Sequence, residues 1–193
     1  MTKRWLALGI LLNTTLLLSA CAPVMFGGVA TTASVAHDRR TTGSVIEDQA
    51  IELRVGKALR DAGIHRQAHV NITSYNGIVL LSGEAPTEEL RSRIGEFARR
   101  DEKARRVHNE IVLAAPSSFM TRSSDALLTT RVKAALLSVR VDGFDATRVK
   151  VVSENGTVFL MGLLHHAEAA AVTGEAQSIG GVQRIVKLFE YLD

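Results

Sequence analysis

The chain has 193 residues, of which 46% are hydrophobic, 22% are charged and only 5% are aromatic, and its formal net charge is +3. So few aromatic side chains do not supply a surface that stacks nucleobases, and so small a charge does not supply a basic field that attracts nucleic acid. The single cysteine excludes an intramolecular disulfide, so each folded domain must be stabilised by its own apolar core.

The first 20 residues have the pattern of a secretory signal peptide. Lys3 and Arg4 precede an apolar stretch over residues 5–18, and the small residues Ser19 and Ala20 follow it. This stretch is shorter than the roughly 20 apolar residues that a membrane-spanning helix needs. We therefore predict that residues 1–20 direct export and are then removed.

Cys21 is the only cysteine, and it stands directly after this segment. The run from Leu18 to Cys21 resembles the lipobox of bacterial lipoproteins, which implies that the Cys21 thiol carries acyl chains such as palmitate. An accidental cysteine behind an ordinary signal peptide is the alternative. By the same resemblance, Ala22 in place of Asp implies retention in the outer membrane. Several acyl chains anchor a protein stably, so we expect a lipid anchor in the outer membrane and domains that face the periplasm.

The rest of the chain contains two copies of one pattern. Arg54-Val55 in the first copy recurs as Arg131-Val132 in the second, and Asn76-Gly77 recurs as Asn155-Gly156. Recurrence of this kind, with the same order and nearly the same spacing, indicates two homologous domains.

The segments outside the copies are rich in small and polar residues. Arg39-Arg40 closes the first such segment, and Pro116 stands in the second. We predict a lipidated flexible tether over residues 21–43, a first domain over 44–114, a linker over 115–123 and a second domain over 124–193.

Both copies predict the same order of elements. In the first copy Ile51, Val55 and Leu59 recur at helical spacing, and the Asn76-Gly77 pair predicts a two-residue type I′ hairpin turn. A second helix around Ile94 and a last strand follow. In the second copy we place the elements over residues 128–139, 149–153, 158–162, 166–179 and 183–191. Helix, strand, strand, helix, strand predicts an α+β fold, with two helices on one face of a three-stranded mixed sheet in each domain.

These residues carry a resemblance to the BON domain. They include the two Arg-Val pairs, the two Asn-Gly hairpins, the strands that end in Gly83 or Gly162, and the run from Val107 to Ile111, although the last strand of the second copy lacks the equivalent of Asn109. Two BON domains behind a lipobox are similar to the dual-BON-domain outer-membrane lipoproteins, the DolP group. The resemblance implies binding of an anionic phospholipid (phosphatidylglycerol or cardiolipin) through the second domain, support of outer-membrane integrity, and enrichment at cell-division sites.

The first helices of the two copies differ on the face opposite the core. There the first copy has Ala50, Lys57 and Arg60, whereas the second has Leu127, Ala134 and Leu137. Apolar residues flanked by cations are typical of a helix that lies in a membrane interface. The predicted phospholipid-binding residues are Leu127, Thr130, Arg131, Lys133, Ala134, Leu137 and Arg140. A competing interpretation is that the two leucines are buried against the first domain.

Catalysis has little support in the sequence. His165-His166 has no acidic or cysteine partner at metal-ligand spacing, and His69 and His108 are isolated, which predicts surface histidines. No nucleophile elbow is present, and the glycines follow strands rather than precede a helix. We expect no enzymatic activity, no cofactor and no metal site. Besides phospholipid binding, a periplasmic adaptor that binds a protein partner in envelope assembly or cell-wall remodelling remains the second hypothesis.

Overall fold

A computed structural model describes residues 38–193. The predicted signal peptide, Cys21 and the tether up to residue 37 lie outside the described residues. The described residues all belong to one compact unit, whose bounds are Ser34–Asp193. Within it the element order of the first domain is α1 (Thr42–Asp61), β1 (His69–Tyr75), β2 (Ile78–Ala85), α2 (Glu88–Arg99), β3 (Arg106–Asn109) and β4 (Val112–Leu113). That of the second domain is α3 (Phe119–Leu136), β5 (Val149–Glu154), β6 (Thr157–Leu164), α4 (His166–Gln177) and β7 (Arg184–Tyr191).

The α+β fold with mixed sheets is confirmed. In each domain the two hairpin strands are antiparallel and the last strand joins the second hairpin strand in parallel, giving the orders β1-β2-β3 and β5-β6-β7. The first domain differs in one detail, because its last strand is interrupted and its second segment, β4, pairs separately with β2. The Asn109 side chain accepts a hydrogen bond from the Ile111 N–H at this interruption (3.4 Å).

The two predicted hairpin turns are present. Asn76 and Gly77 have φ values of 52° and 74°, and Asn155 and Gly156 have φ values of 48° and 72°. Positive φ at both central residues is the requirement of a type I′ turn, which Asn-Gly meets at little steric cost. The turns set the register, which pairs Tyr75 with Ile78 in the first hairpin.

The central strands β2 and β6 are buried on both faces. On the helix side, Val79 and Leu81 join the core under α1 and α2, and Val158 and Leu160 join the core under α3 and α4. Alternate residues of a strand point to opposite faces, so Ile78 and Leu80 of β2 and Phe159 and Met161 of β6 point away from the helices. Together with Tyr75 and Leu188 they form a third core between the two sheets. The domains therefore pack sheet against sheet, and their helices cover the outer faces.

Two predicted segments are more ordered than expected. Helix α3 begins at Phe119, inside the predicted linker, because the Ser118 side chain accepts a hydrogen bond from the Thr121 N–H (3.2 Å) and caps the helix. Arg39 and Arg40, predicted as the end of a flexible tether, form ion pairs with Glu168 and Asp48 at 2.5 and 2.8 Å. The end of the tether is thus fixed to the folded domains, since its two cations find buried carboxylates.

Candidate functional site

The seven residues predicted to bind phospholipid are Leu127, Thr130, Arg131, Lys133, Ala134, Leu137 and Arg140, and all of them are exposed. Leu127 and Leu137 keep 64% and 69% of their surface accessible. The interpretation that these leucines are buried against the first domain is therefore wrong, because the domains pack sheet against sheet and the outer face of α3 takes no part in that interface.

Helix geometry explains why this face is free. Leu128, Val132 and Leu136 recur every four residues and are buried in the core of the second domain. At 100° per residue, Leu127 and Ala134 lie on the side opposite Val132. The core residues thus fix the rotation of α3, and the apolar residues on the far side point to solvent.

The apolar face extends further than the sequence comparison predicted. Phe119 and Met120, in the first turn of α3, are 78% and 75% exposed. They precede Leu127 by eight and seven positions, which places them on the same side of the helix within about 80°. From Phe119 to Leu137 this side is about 27 Å long at 1.5 Å per residue. We call these four residues (Phe119, Met120, Leu127 and Leu137) the apolar stripe of α3. The N-cap at Ser118 was the signal that could have revealed its first half.

Helices α1 and α3 differ less in their exposed apolar residues than the comparison of the two sequence copies indicated. Ile46 and Leu53 are 63% and 68% exposed on α1. When the two Arg-Val pairs are aligned, they correspond to Ser123 and Thr130, so each domain has outward apolar residues, at different positions. The apolar stripe of α3 has four members against these two.

The charges around the two helices differ more clearly. On α1, Arg54 forms ion pairs with Asp101 (2.7 Å) and Glu47 (2.9 Å), and Lys57 pairs with Asp61 (2.5 Å). The hydrogen bond from Arg54 holds the pKa of Asp101 below its ordinary value, and the Lys103 and Ala104 N–H groups add to this against the effect of burial. Two of the three exposed cations of α1 are thus paired with carboxylates, whereas Arg60 forms no salt bridge with a carboxylate of residues 38–193.

The cations beside the apolar stripe have no such partners. Between residues 38 and 193, no carboxylate forms a salt bridge with Arg131, Lys133 or Arg140. Arg131 also lines an open cleft of about 450 Å³ together with Met120, Asn155 and Gly181. Helix α3 therefore presents apolar side chains and uncompensated positive charge on one surface.

Three of the histidines, His69, His165 and His166, have structural contacts. The His165 N–H donates to Glu168 (2.9 Å) at the start of α4, and the His166 ring stacks on Tyr191 at 4.0 Å between centroids. His69 is not the isolated surface residue that was predicted, because its Nδ1 lies 3.0 Å from a Glu84 carboxylate oxygen. That contact joins two paired strands. Because the two residues stand 15 positions apart, their spacing in the sequence did not indicate it.

No helix in the part of the chain from residue 38 onward combines the length and the apolar composition of a membrane span.

Comparison with known proteins identifies the family of the chain and several relatives, of which two are described here. A family model described as the BON domain matches residues 47–115 and 124–193. Outer membrane lipoprotein DolP of Haemophilus influenzae is 42% identical over 188 residues, which cover 96% of this chain and 96% of the relative. The 21 kDa hemolysin of Actinobacillus pleuropneumoniae is 35% identical over 156 residues, 80% of this chain and 79% of the relative. Among solved structures, the C-terminal domain of CdsD, a structural protein of the Type III secretion system of Chlamydia trachomatis, has 15% identity and a TM-score of 0.27, with 80% of this chain and 100% of that chain covered. A TM-score that low does not indicate a shared arrangement.

Proposed function

Because the chain belongs to the family of dual-BON-domain outer-membrane lipoproteins that includes DolP, we propose that it binds anionic phospholipid through helix α3. In this proposal Cys21 anchors the protein in the outer membrane, the two domains lie in the periplasm, and the protein supports outer-membrane integrity. The role is binding, without catalysis. Enrichment at division sites is part of the same proposal.

One observation carries the proposal: the apolar stripe of α3 is exposed beside three cations that pair with no described carboxylate. An interfacial helix gains free energy in two ways, by burying apolar side chains among the acyl chains and by placing cations near anionic headgroups. Each cation near such a surface contributes about 1 kcal/mol. Arg131, Lys133 and Arg140 can supply the second contribution without first breaking an ion pair.

The lipid anchor and α3 strengthen each other. A protein held at the bilayer by acylated Cys21 meets the membrane at a high effective concentration, so α3 needs only modest affinity of its own. The proposed function of α3 is then to orient the domains on the bilayer and to respond to its content of anionic lipid.

Liposome co-sedimentation of the compact unit Ser34–Asp193 tests this proposal. We expect binding to vesicles that contain phosphatidylglycerol or cardiolipin and little binding to pure phosphatidylcholine. Leu127→Glu should abolish most of the binding, because it removes an apolar contact and adds a charge that the anionic surface repels.

The chain offers a matched control in Leu53→Glu on α1, since Leu53 and Leu127 are 68% and 64% exposed. Both changes alter the net charge equally, so equal losses of binding would contradict the assignment to α3. Absence of vesicle binding by the unaltered unit would favour a protein partner for the apolar stripe.

A further inference from the structure

We propose that His69, Glu84 and Glu154 form a zinc site that links the two domains. The three ligands belong to β1, β2 and β5, whereas the proposed lipid contacts belong to α3 and the turn that follows it. The two sets share no residue, so the inference does not depend on the function proposed for α3.

The strand pairing and the sheet packing bring the three residues together. His69 on β1 is the direct cross-strand partner of Glu84 on β2. The strands approach closely because the residue before Glu84 is Gly83, where a Cβ would lie 2.2 Å from the His69 carbonyl oxygen. Glu154 is the last residue of β5, and the packing of the domains places it against this pair.

The distances fit a metal ion. His69 Nδ1 lies 3.0 Å from Glu84 Oε2 and 3.8 Å from Glu154 Oε1, and one ligand atom from each residue lies within 4.8 Å of the other two. Zinc bound at about 2.0–2.2 Å from each ligand holds its ligands roughly 3.4 Å apart. The two His69 distances are each within about 0.4 Å of this separation, and the two carboxylate oxygens, which lie within 4.8 Å of each other, can approach by side-chain rotation to complete a three-ligand site.

Neighbouring groups orient both carboxylates. Glu84 accepts hydrogen bonds from the Asn155 side chain (2.5 Å) and the Ser117 backbone N–H (3.1 Å). The Asn71 side chain donates to Glu154 Oε2 (2.8 Å), which directs Oε1 toward His69. Supporting hydrogen bonds of this kind are typical of metal ligands, because they fix the ligand atoms before the ion arrives.

The buried carboxylates at this corner of the interface have no lysine or arginine partner among the described residues and can bind a cation. Glu84 and Glu154 are 1% and 6% exposed, and no lysine or arginine of residues 38–193 forms a salt bridge with either. When both are ionised, as in a metal-bound state, two carboxylates that face one imidazole carry more negative charge than even a protonated histidine balances. A divalent ion matches the two carboxylates.

The equivalent corner of the interface shows the contrast. When the two Asn-Gly turns are aligned, Tyr75, Arg148 and Leu163 take the places of Glu154, His69 and Glu84. The Tyr75 hydroxyl donates to the Arg148 carbonyl oxygen (3.0 Å), and the Arg40 guanidinium lies 3.7 Å from the centre of the Tyr75 ring. The Arg40 cation thus contacts Tyr75 at that corner. Beside His69, Arg122 lines the same cleft as the histidine but forms no salt bridge with Glu84 or Glu154.

The ligand set and the surroundings indicate zinc with an open coordination position. A histidine nitrogen disfavours Ca²⁺ and Mg²⁺, which prefer oxygen ligands alone. His69 and Glu154 line a cleft of about 310 Å³ that Asp125 also lines. Asp125 is buried, and its Oδ2 has no hydrogen-bond partner among the described residues, so it can accept a hydrogen bond from a metal-bound water.

Zinc titration of the unit Ser34–Asp193, purified without a histidine tag and stripped with EDTA, tests the site. This unit lacks Cys21, the only thiol. We expect one Zn²⁺ bound per chain by calorimetry, a rise in Tm on addition of Zn²⁺ but not of Ca²⁺ or Mg²⁺, and visible absorption bands of four- or five-coordinate Co²⁺. Glu154→Gln and His69→Gln should each lower the zinc affinity about tenfold or more.

Two variants serve as controls. Glu52→Gln removes another ion pair between the domains, that of Glu52 with Lys150 (2.8 Å), and His108→Gln removes a half-buried histidine outside the cluster. Both should bind Co²⁺ with the unaltered spectrum even if Glu52→Gln lowers Tm. No binding by the unaltered unit, or binding that survives in Glu154→Gln and His69→Gln, would overturn the proposal.

Discussion

Tyr75 and Glu154 occupy equivalent positions, each directly before an Asn-Gly turn, and each forms a hydrogen bond with the opposite domain. The Tyr75 hydroxyl donates to the Arg148 carbonyl oxygen (3.0 Å), and Glu154 accepts from the Asn71 side chain (2.8 Å). The domains thus contact each other reciprocally through their hairpins and sheets. The outward faces of the helices, including that of α3, take no part in this interface and can bind a membrane or another protein.

Phe159→Ala should destabilise both domains together. Phe159 is 1% exposed in the core between the sheets, so its truncation should lower the free energy of unfolding by about 3–5 kcal/mol. Hydrogen exchange in strands of both domains measures the effect. Faster exchange in the second domain alone would contradict a shared core.

The repeat and the hairpins could be predicted because their signals are local. Asn76-Gly77 and Asn155-Gly156 specify their turns by backbone preference, and Ile51, Val55 and Leu59 specify a helix face by spacing. The packing of sheet on sheet was not predicted, although the continuous apolar runs in β2 and β6 are typical of strands buried on both faces.

The residues of the two proposed sites could also be predicted only where their signals are local in the sequence. Leu127 and Leu137 could be found by comparing two helices, whereas Phe119 and Met120 were missed because Pro116 and its serine neighbours indicated a linker. The cluster of His69, Glu84 and Glu154 draws on three strands and both domains, so only the tertiary fold brings its members together.

Glu168→Gln should reduce stability at neutral pH and have less effect in acid. Burial alone would raise the pKa of Glu168, but hydrogen bonds from Arg39 and the His165 N–H hold it below its ordinary value of 4.5. A lowered folded-state pKa gives stability that is present above the unfolded pKa and is lost as the pH falls through the folded value. The substitution leaves Arg39 without its carboxylate partner, although the Leu163 carbonyl oxygen still accepts a hydrogen bond from it, and should cost about 3 kcal/mol at pH 7.

Urea unfolding at pH 7 and near pH 3 measures this difference. Glu96→Gln is the control, because Glu96 forms a long, exposed pair with Arg100 (3.9 Å) that should contribute at most about 0.5 kcal/mol. A loss for Glu168→Gln that is equally large at both pH values would be incompatible with the linkage.

Reversing the charge of two cations beside the apolar stripe should weaken vesicle binding. Lys133→Glu combined with Arg140→Glu removes two attractions of about 1 kcal/mol each, which corresponds to roughly 30-fold in affinity for anionic vesicles. Added salt should weaken the unaltered unit as well, because exposed charges are screened. Lys57→Glu combined with Arg60→Glu changes the net charge equally on α1, and a comparable loss there would indicate a general charge effect.

Cys21→Ser should prevent lipid attachment. Cys21 is the only thiol, so the variant should no longer incorporate a palmitate analogue and should leave the outer-membrane fraction, either as a soluble form or as an unprocessed precursor. Metabolic labelling followed by membrane fractionation checks this. Label retained in the variant would refute the assignment of the anchor.

The most direct test of the α3 proposal is the fluorescence of a tryptophan placed in the apolar stripe. Trp5 is the only tryptophan of the chain, so the unit Ser34–Asp193 has none, and Leu127→Trp and Leu53→Trp each introduce a single probe at a similarly exposed site. With vesicles of brominated phosphatidylglycerol, the probe at position 127 should shift to the blue and be quenched, and the probe at position 53 should do neither. Quenching at position 53 without quenching at position 127 would contradict membrane binding through helix α3.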